Sequence, residues 1–553
     1  MVMTAKLQRE ERKLRKIESG LFQLLVHEDP VASVNAGLAQ GGNHVPIGTR
    51  DAEIRRINLL KKQRGLLDAV RPSLLPKSRA IDHEALCRFL RRRLFELEEV
   101  RLWESSPNVS AVVGASLSQL LLRNYAPLVN RLRSINDRLQ QLPKFVQQSM
   151  TRLVSPVKIH VETELESLTY LPGFFHRLND IAREHLPESA FHTLHQACEK
   201  LQNALEIYAN WLIIDIIPNS RSDYALGSRK YTRLLELMDV REPPAAILRR
   251  SSAELQRLRA KLRALARKFK RNATIEEARE TIRGQHPAHL DDILKFSREA
   301  LLKAKQFVVR SNFATLPPEE DLYVVETPHH LRHLTPFTTY LSPAKFEPKR
   351  YGYLCVTPGN SENNKLKEHN NGALTSAAVM DGYPGRHLHW LCALSHASAS
   401  RLLAAAPEAE FAWALYCEER VREYGFEETA PFHFINTLHQ ARRALLSILD
   451  VKLHTGAIEV KEAADLLSRE TGMDMLSADS EIRFILLNPG LHTAALRGRE
   501  SIKALKRQMR QAMKGKFNER FFHDALLSAG FLTGNTLRKE LAWRTAEALK
   551  RAQ

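Results

Sequence analysis

Apolar residues recur at helical spacing along almost the whole chain, and prolines cut that pattern into segments. This constrains the fold more than any other feature, because a 3.6-residue stripe must bury one face against a neighbouring helix. Leu7, Leu14, Ile17, Leu21 and Leu24 mark a helix over 4–26, and further helices are expected over about Asp51–Val70 and Asp82–Glu104, with Asp82 as N-cap. More follow through 214, broken near Pro127, Pro143, Pro156, Pro172 and Pro187. Residues 244–271 read as a long basic helix in which Leu255, Leu258, Leu262, Leu265 and Phe269 fit one limb of a helical hairpin packed on its own body, and 288–311 as another helix. The pattern changes only over 313–360. There Pro317, Pro318, Pro328, Pro336, Pro343 and Pro348 crowd around two strand-like pieces, Leu322–Val325 and Tyr351–Val356. From 366 onward the helical period returns. The expected fold is mainly α with a small β element near 320–356. It divides into an N-terminal helical region (1–312), a Pro-rich segment with short strands (313–360) and a C-terminal helical region (361–553).

Composition bears on partners and compartment. Lys and Arg number 82 against 63 Asp and Glu, a net +19, but the two signs are interleaved and no polybasic tail stands out. That pattern suits solvated helix faces, so nucleic acid is not expected as a partner. The cysteines Cys87, Cys198, Cys355, Cys392 and Cys417 are scattered and form no CxxC, which points to a reducing compartment. The N-terminus is charged at once, and no apolar run is long enough for a membrane span. A cytoplasmic protein without a membrane segment is expected.

Standard catalytic signatures, HExxH, the Walker A loop, GxGxxG and GxSxG, are absent. His329, His330 and His333 lie between prolines and read as a loop rather than a metal site. Chemistry concentrates in Met380-Asp-Gly-Tyr-Pro-Gly-Arg-His-Leu-His-Trp390, followed by a helix over 409–421 in which Phe411, Leu415 and Glu418 share a face.

These segments resemble the bacterial DUF885 proteins, which are grouped with zinc metallopeptidases of the thermolysin-like clan. The family motif His-Glu-x-x-Pro-Gly-His-His-Leu-Gln is matched by Met380–His389, and Glu-Gly-Trp-Ala-Leu-Tyr-x-Glu by Phe411–Glu418. Gly227-Ser-Arg-Lys-Tyr231, Asp450–His454, Glu481-Ile-Arg483, Pro489-Gly490 and Phe521–Gly530 follow in family order. The resemblance implies an elongated multi-helix metallopeptidase-like body. It also implies that Met380 stands where the family has a His ligand, Asp381 where it has the Glu base, Arg386 where it has a second His, and Phe411 where it has a Glu. Zinc needs about three N, O or S donors, which Met, Phe and a permanent cation do not supply. The resemblance therefore implies a pseudoenzyme-like, metal-free site with no cofactor, in which Arg386, Tyr383, Tyr416 and Arg483 bind a peptide or small acidic ligand. The alternative is a metal-independent enzyme with Asp381 or Glu418 as base and His387 or His454 as acid. Against the anchor role stands pairing of Arg386 with Asp381 or Glu418, which would seal the site. Oligomeric state is not readable from the sequence.

Overall fold

The computed structural model describes residues 2–38, 42–347, 349–358 and 365–551; Pro348 lies outside them. Helices dominate, as the apolar period requires. The helices used below are α1 (Lys77–Phe95), α2 (Pro244–Ala266), α3 (Leu290–Arg310), α4 (Asn371–Ala377), α5 (Arg386–Leu394), α6 (Pro407–Glu423), α7 (Ala430–Thr455), α8 (Met475–Leu487) and α9 (Leu491–Met513). A three-stranded sheet interrupts them: β1 (Glu320–Glu326), β2 (Thr338–Leu341) and β3 (Arg350–Val356). β3 is central. It pairs parallel with β1 (Glu320 opposite Arg350) and antiparallel with β2 (Thr338 opposite Val356).

Three departures from the sequence reading have local causes. Asp82 is not an N-cap: α1 begins five residues earlier, after Pro76, and Asp82 is buried inside it. Its carboxylate pairs with Arg79 at 2.7 Å and with Arg401, a tertiary role that outweighs its capping propensity. Pro143 does not break its helix, which runs Leu128–Met150. Leu139, Leu142, Phe145 and Val146 around it are all buried in one core, and that burial offsets the one backbone bond the ring removes. The sequence reading also lacks β2, whose four residues are too few to show alternation.

Two of the cores position the site. The largest draws on Leu14–Leu97 and on Ile293–Leu541, so both ends of the chain share it. A second is built mainly by α2 against α7, with α8 beside them. Leu255, Leu258, Leu262 and Leu265 are buried there, so the leucine stripe of α2 packs on its own body. Helix α7 is buried on almost every face, so any polar side chain on it must find a partner or a cleft. Among the described residues no helix is long and apolar enough to cross a membrane.

Candidate functional site

The segment singled out by sequence leaves α4 through a single wide turn, Ala378–Gly382, in which the Tyr383 amide reaches back to the Ala378 carbonyl at 2.9 Å. Such π-turns occur where a helix is bent to present side chains at functional sites. The turn admits only glycine at 385: a Cβ there would lie 1.9 Å from the Met380 carbonyl oxygen. Trp413 of α6 fixes the next bend by donating its indole N–H to the Pro384 carbonyl at 2.8 Å. Asp381 and Arg386 thereby face a cleft of about 400 Å³. The 334–339 segment, α4, α6, α7 and the start of α9 enclose it.

At one end of the cleft Arg386 is fully engaged. Its Nη1 donates to Asp381 at 3.1 Å and its Nε to Glu410 at 2.5 Å. The guanidinium lies over the rings of Phe411 (4.7 Å) and Tyr340 (4.9 Å). Burial opposes its charge, but Glu410 and Asp381 outweigh that and push its pKa up. Two carboxylates and one guanidinium leave this group with net charge −1. Met380 and Phe411 pack with Ala414, Leu415 and Ala495 in a small apolar cluster alongside.

Along the cleft wall α7 presents His439, Arg442 and Arg443. Arg442 pairs with Glu481 of α8 at 2.5 Å and lies over Phe337. Arg443 differs. Among the described residues no carboxylate lies within ion-pair distance of it; its one side-chain contact is Nη2 to the Met380 sulfur at 3.9 Å, and its buried Nε has no partner. Burial first, and then the like charge of Arg442, pull its pKa below the usual arginine value despite Glu481, Glu418 and Asp381 nearby. A desolvated cation without a counter-charge is costly, and an anionic ligand would relieve that cost.

One turn before Arg443, His439 sits on the same face of α7. Its Nδ1 is 3.1 Å from the Ser376 hydroxyl and 3.3 Å from Glu418 Oε1, while Ser376 donates to that same Oε1 at 2.9 Å. Ser376 and Glu418 thus both meet the His439 ring at Nδ1. Glu418 is fully buried, and its Oε2 has no partner among the described residues. Because serine and carboxylate meet the same ring nitrogen, this is not the relay in which a histidine bridges nucleophile and acid through opposite nitrogens.

Other residues named from sequence go elsewhere. His387 is buried beneath the sheet, with Nε2 3.0 Å from Glu320 and Nδ1 3.1 Å from the Tyr340 hydroxyl. Gly352 of β3 makes room for its ring. Tyr383 donates to Glu320, which Lys305 also meets at 2.7 Å. Burial would raise the Glu320 pKa, but hydrogen bonds from His387, Lys305 and Tyr383 hold it at about 2. Tyr416 donates to His523 Nε2 at 2.9 Å, and His523 Nδ1 donates to the Phe313 carbonyl at 2.8 Å. His454 donates to the Ile485 carbonyl at 3.1 Å and stacks on Tyr231. Arg483 pairs with Glu166. The structure thus brings Asp381 and Arg386 together at the cleft, with Glu418 directly behind its wall. It separates His387, His454, Tyr383, Tyr416 and Arg483 from it. Sequence reasoning missed Arg443, His439 and Glu410. The only signal for the first two was their i, i+4 spacing along one face of α7.

His329–Leu331 form a single 3-10 turn, in keeping with the loop expected there; His330 and His333 are buried, and His333 Nε2 lies 2.6 Å from the Ser167 hydroxyl. Among the described residues no three His, Cys, Asp or Glu side chains are grouped to hold a metal ion.

No curated protein matches the chain. Two solved structures superpose over nearly all of it. One is a protein from Colwellia psychrerythraea described as a lipoprotein, with TM-score 0.84, 16% identity, and coverage of 97% of this chain and 100% of that one. The other, from Shewanella oneidensis and described as a lipoprotein of unknown function, gives TM-score 0.74 and 17% identity over 96% of this chain and 99% of that one. At such identity the likeness shows the fold. The sequence pattern itself goes further: the model of the bacterial proteins of unknown function called DUF885 matches residues 30–541, and the chain belongs to that family.

Proposed function

We propose that this DUF885 protein is a non-peptidase that binds a peptide or small acid by its carboxylate in a metal-free cleft, with Arg443 rather than Arg386 as the anchor. The observation that carries this reading is the unpaired guanidinium of Arg443 inside the cleft. Arg386 was the anchor expected from sequence, but Asp381 and Glu410 already satisfy its charge. A planar fork that lacks a carboxylate partner suits a ligand carboxylate. The donor set argues against zinc: the family-motif positions carry Met380, Arg386 and Phe411, and these pack as an apolar cluster capped by a guanidinium held between two rings. Titration calorimetry with short peptides bearing free or amidated C-termini tests the reading. The free acid should bind, and amidation or Arg443→Met should each weaken it at least about tenfold, the loss of one charge-assisted bidentate contact. Equal binding of acid and amide would refute it, as would stoichiometric zinc with chelator-sensitive peptide cleavage.

One observation favours the enzymatic alternative. His439 lines the cleft, and Ser376 and Glu418 hold its Nδ1. In that reading Nε2 takes a proton from water as the water oxygen adds to the ligand carbonyl carbon. The same proton then passes to the departing amine nitrogen as the C–N bond breaks. Glu418 becomes a positioning residue, and His454 and His387 drop out. Slow metal-independent cleavage, lost in His439→Gln with binding retained, would decide for it. Cytoplasmic residence belongs to the same proposal and is supported by five free cysteines. Since both structural neighbours are described as lipoproteins, cell fractionation is the measurement that tests it.

A further inference from the structure

A second cleft, of about 610 Å³, opens beside the first and shares Arg279, Leu438, Arg442 and Thr471 with it. Its lining is markedly basic: Arg259, Arg263, Arg267, Arg279, Arg442 and Arg469 face only Glu276 and Glu470. Glu470 pairs with Arg259, Glu276 with Arg279, and Arg442 with Glu481. That leaves Arg263, Arg267 and Arg469, all exposed, without an ion-pair partner among the described residues. Part of the chain's surplus positive charge therefore lies on the approach to Arg443.

The spacing of these groups carries the argument further. Arg259, Arg263 and Arg267 follow α2 into its C-terminal cap at steps of four residues, a rise of about 6 Å per step. An extended peptide repeats its side-chain direction every second residue, about 6.5–7 Å. Carboxylates at alternate positions of an extended chain would thus meet successive arginines of α2, while the chain terminus continues past Arg442 to Arg443. A small acid would use only the inner cleft and leave this row idle.

Resting on the carboxylate reading above, we infer that the ligand is an acidic peptide bound in extended form. Its C-terminal carboxylate lies on Arg443, and acidic side chains at alternate upstream positions lie on Arg263 and Arg267. The basic groove also steers it, so association slows as salt screens the field.

The probes are two synthetic peptides with the same free C-terminus, one carrying glutamate at alternate positions and the other alanine there. Binding is measured to the full chain at low and high salt. The double variant Arg263→Glu/Arg267→Glu should weaken the glutamate peptide about tenfold, the effect of reversing two exposed contacts, and leave the alanine peptide unchanged. Because both residues are exposed, the fold should tolerate the change, which thermal unfolding checks. An equal effect on both peptides, or none on either, overturns the inference while leaving the anchor reading intact if Arg443→Met still abolishes binding. If neither peptide binds the unaltered chain, the anchor reading and the inference fall together.

Discussion

Arg386 and Arg443 line one cleft, and the structure assigns them opposite effects on stability. Replacing Arg386 by Met removes a cation that two carboxylates share and leaves Asp381 and Glu410 facing each other in a largely buried space; their side chains are only 12% and 9% exposed. Breaking a buried pair from one side costs about 3–5 kcal/mol, because the abandoned charge stays desolvated. The methionine stem keeps the packing between Tyr340 and Phe411 but loses cation–π attraction of about 0.5–1 kcal/mol per ring. A net loss of about 5 kcal/mol is expected. With 553 residues and an unfolding entropy of about 2.1 cal/mol/K per residue, that lowers the melting temperature by roughly 4–5 °C. Adding Glu410→Gln should then recover about half of the loss, since it removes one of the two opposed charges. Arg443→Met, by contrast, removes a cation that has no carboxylate partner, and should leave the melting temperature unchanged or raise it by about 1 °C. Differential scanning calorimetry on the four proteins reads all of this. If Arg386→Met melts with the parent, or Glu410→Gln makes it worse, Arg386 is not what holds the two carboxylates together. If Arg443→Met is the more damaging of the two, Arg443 has a structural partner and cannot be the anchor.

Two further outcomes test the site's frame. Glu320 ordinarily titrates near 4.5 and is held at about 2 by His387, Lys305 and Tyr383 in the fold. A depressed carboxylate contributes stability that is complete above its unfolded value and is lost as pH falls through the folded one. About 3 kcal/mol should therefore disappear between roughly pH 4.5 and 2. Thermal unfolding across that range should flatten in Glu320→Gln, and an unaltered acid slope would refute the assignment. Gly385→Ala would force a Cβ to within 1.9 Å of the Met380 carbonyl oxygen and 2.3 Å of that of Val379. Both are backbone atoms that cannot step aside, so a loss of about 3 kcal/mol or more is expected, visible as poor soluble yield; a normally folded variant would show that the turn can open.

The helical body was legible because burial stripes extend over many turns. Leu255 to Leu265 pointed to packing on the chain's own body, and the structure buries them against α7. The small sheet was legible from Tyr351–Val356, but β2 was not, having four residues and one buried side chain. The site was half legible. Asp381 and Arg386 adjoin in sequence and meet in space. Glu410 was missed because it comes to Arg386 from α6, across 24 residues. His454 and Arg483 were expected at the site because they follow in family order, yet order along a chain does not fix which face of a helix a residue takes. Asp450, eleven positions after His439 on the same helix, instead holds the amides of Gly490 and Thr493 at 2.9 and 3.1 Å at the start of α9. One helix thus divides its polar residues between a cleft and an internal cap, and nothing in its apolar period announces which is which.

That division bears on what a cation at position 386 can do. A bound metal exchanges ligands, acidifies water and leaves a coordination position open. A guanidinium does none of these, and here its donors point to Asp381 and Glu410 while its faces meet Phe411 and Tyr340. Under the proposed reading, the end of the cleft that would do chemistry in a metallopeptidase becomes a closed wall. Ligand recognition then passes to Arg443, the one guanidinium in the cleft wall without a carboxylate partner among the described residues. Arg443 lies beside Met380, whose thioether brings no counter-charge, so the cation keeps its full claim on a ligand carboxylate under that reading.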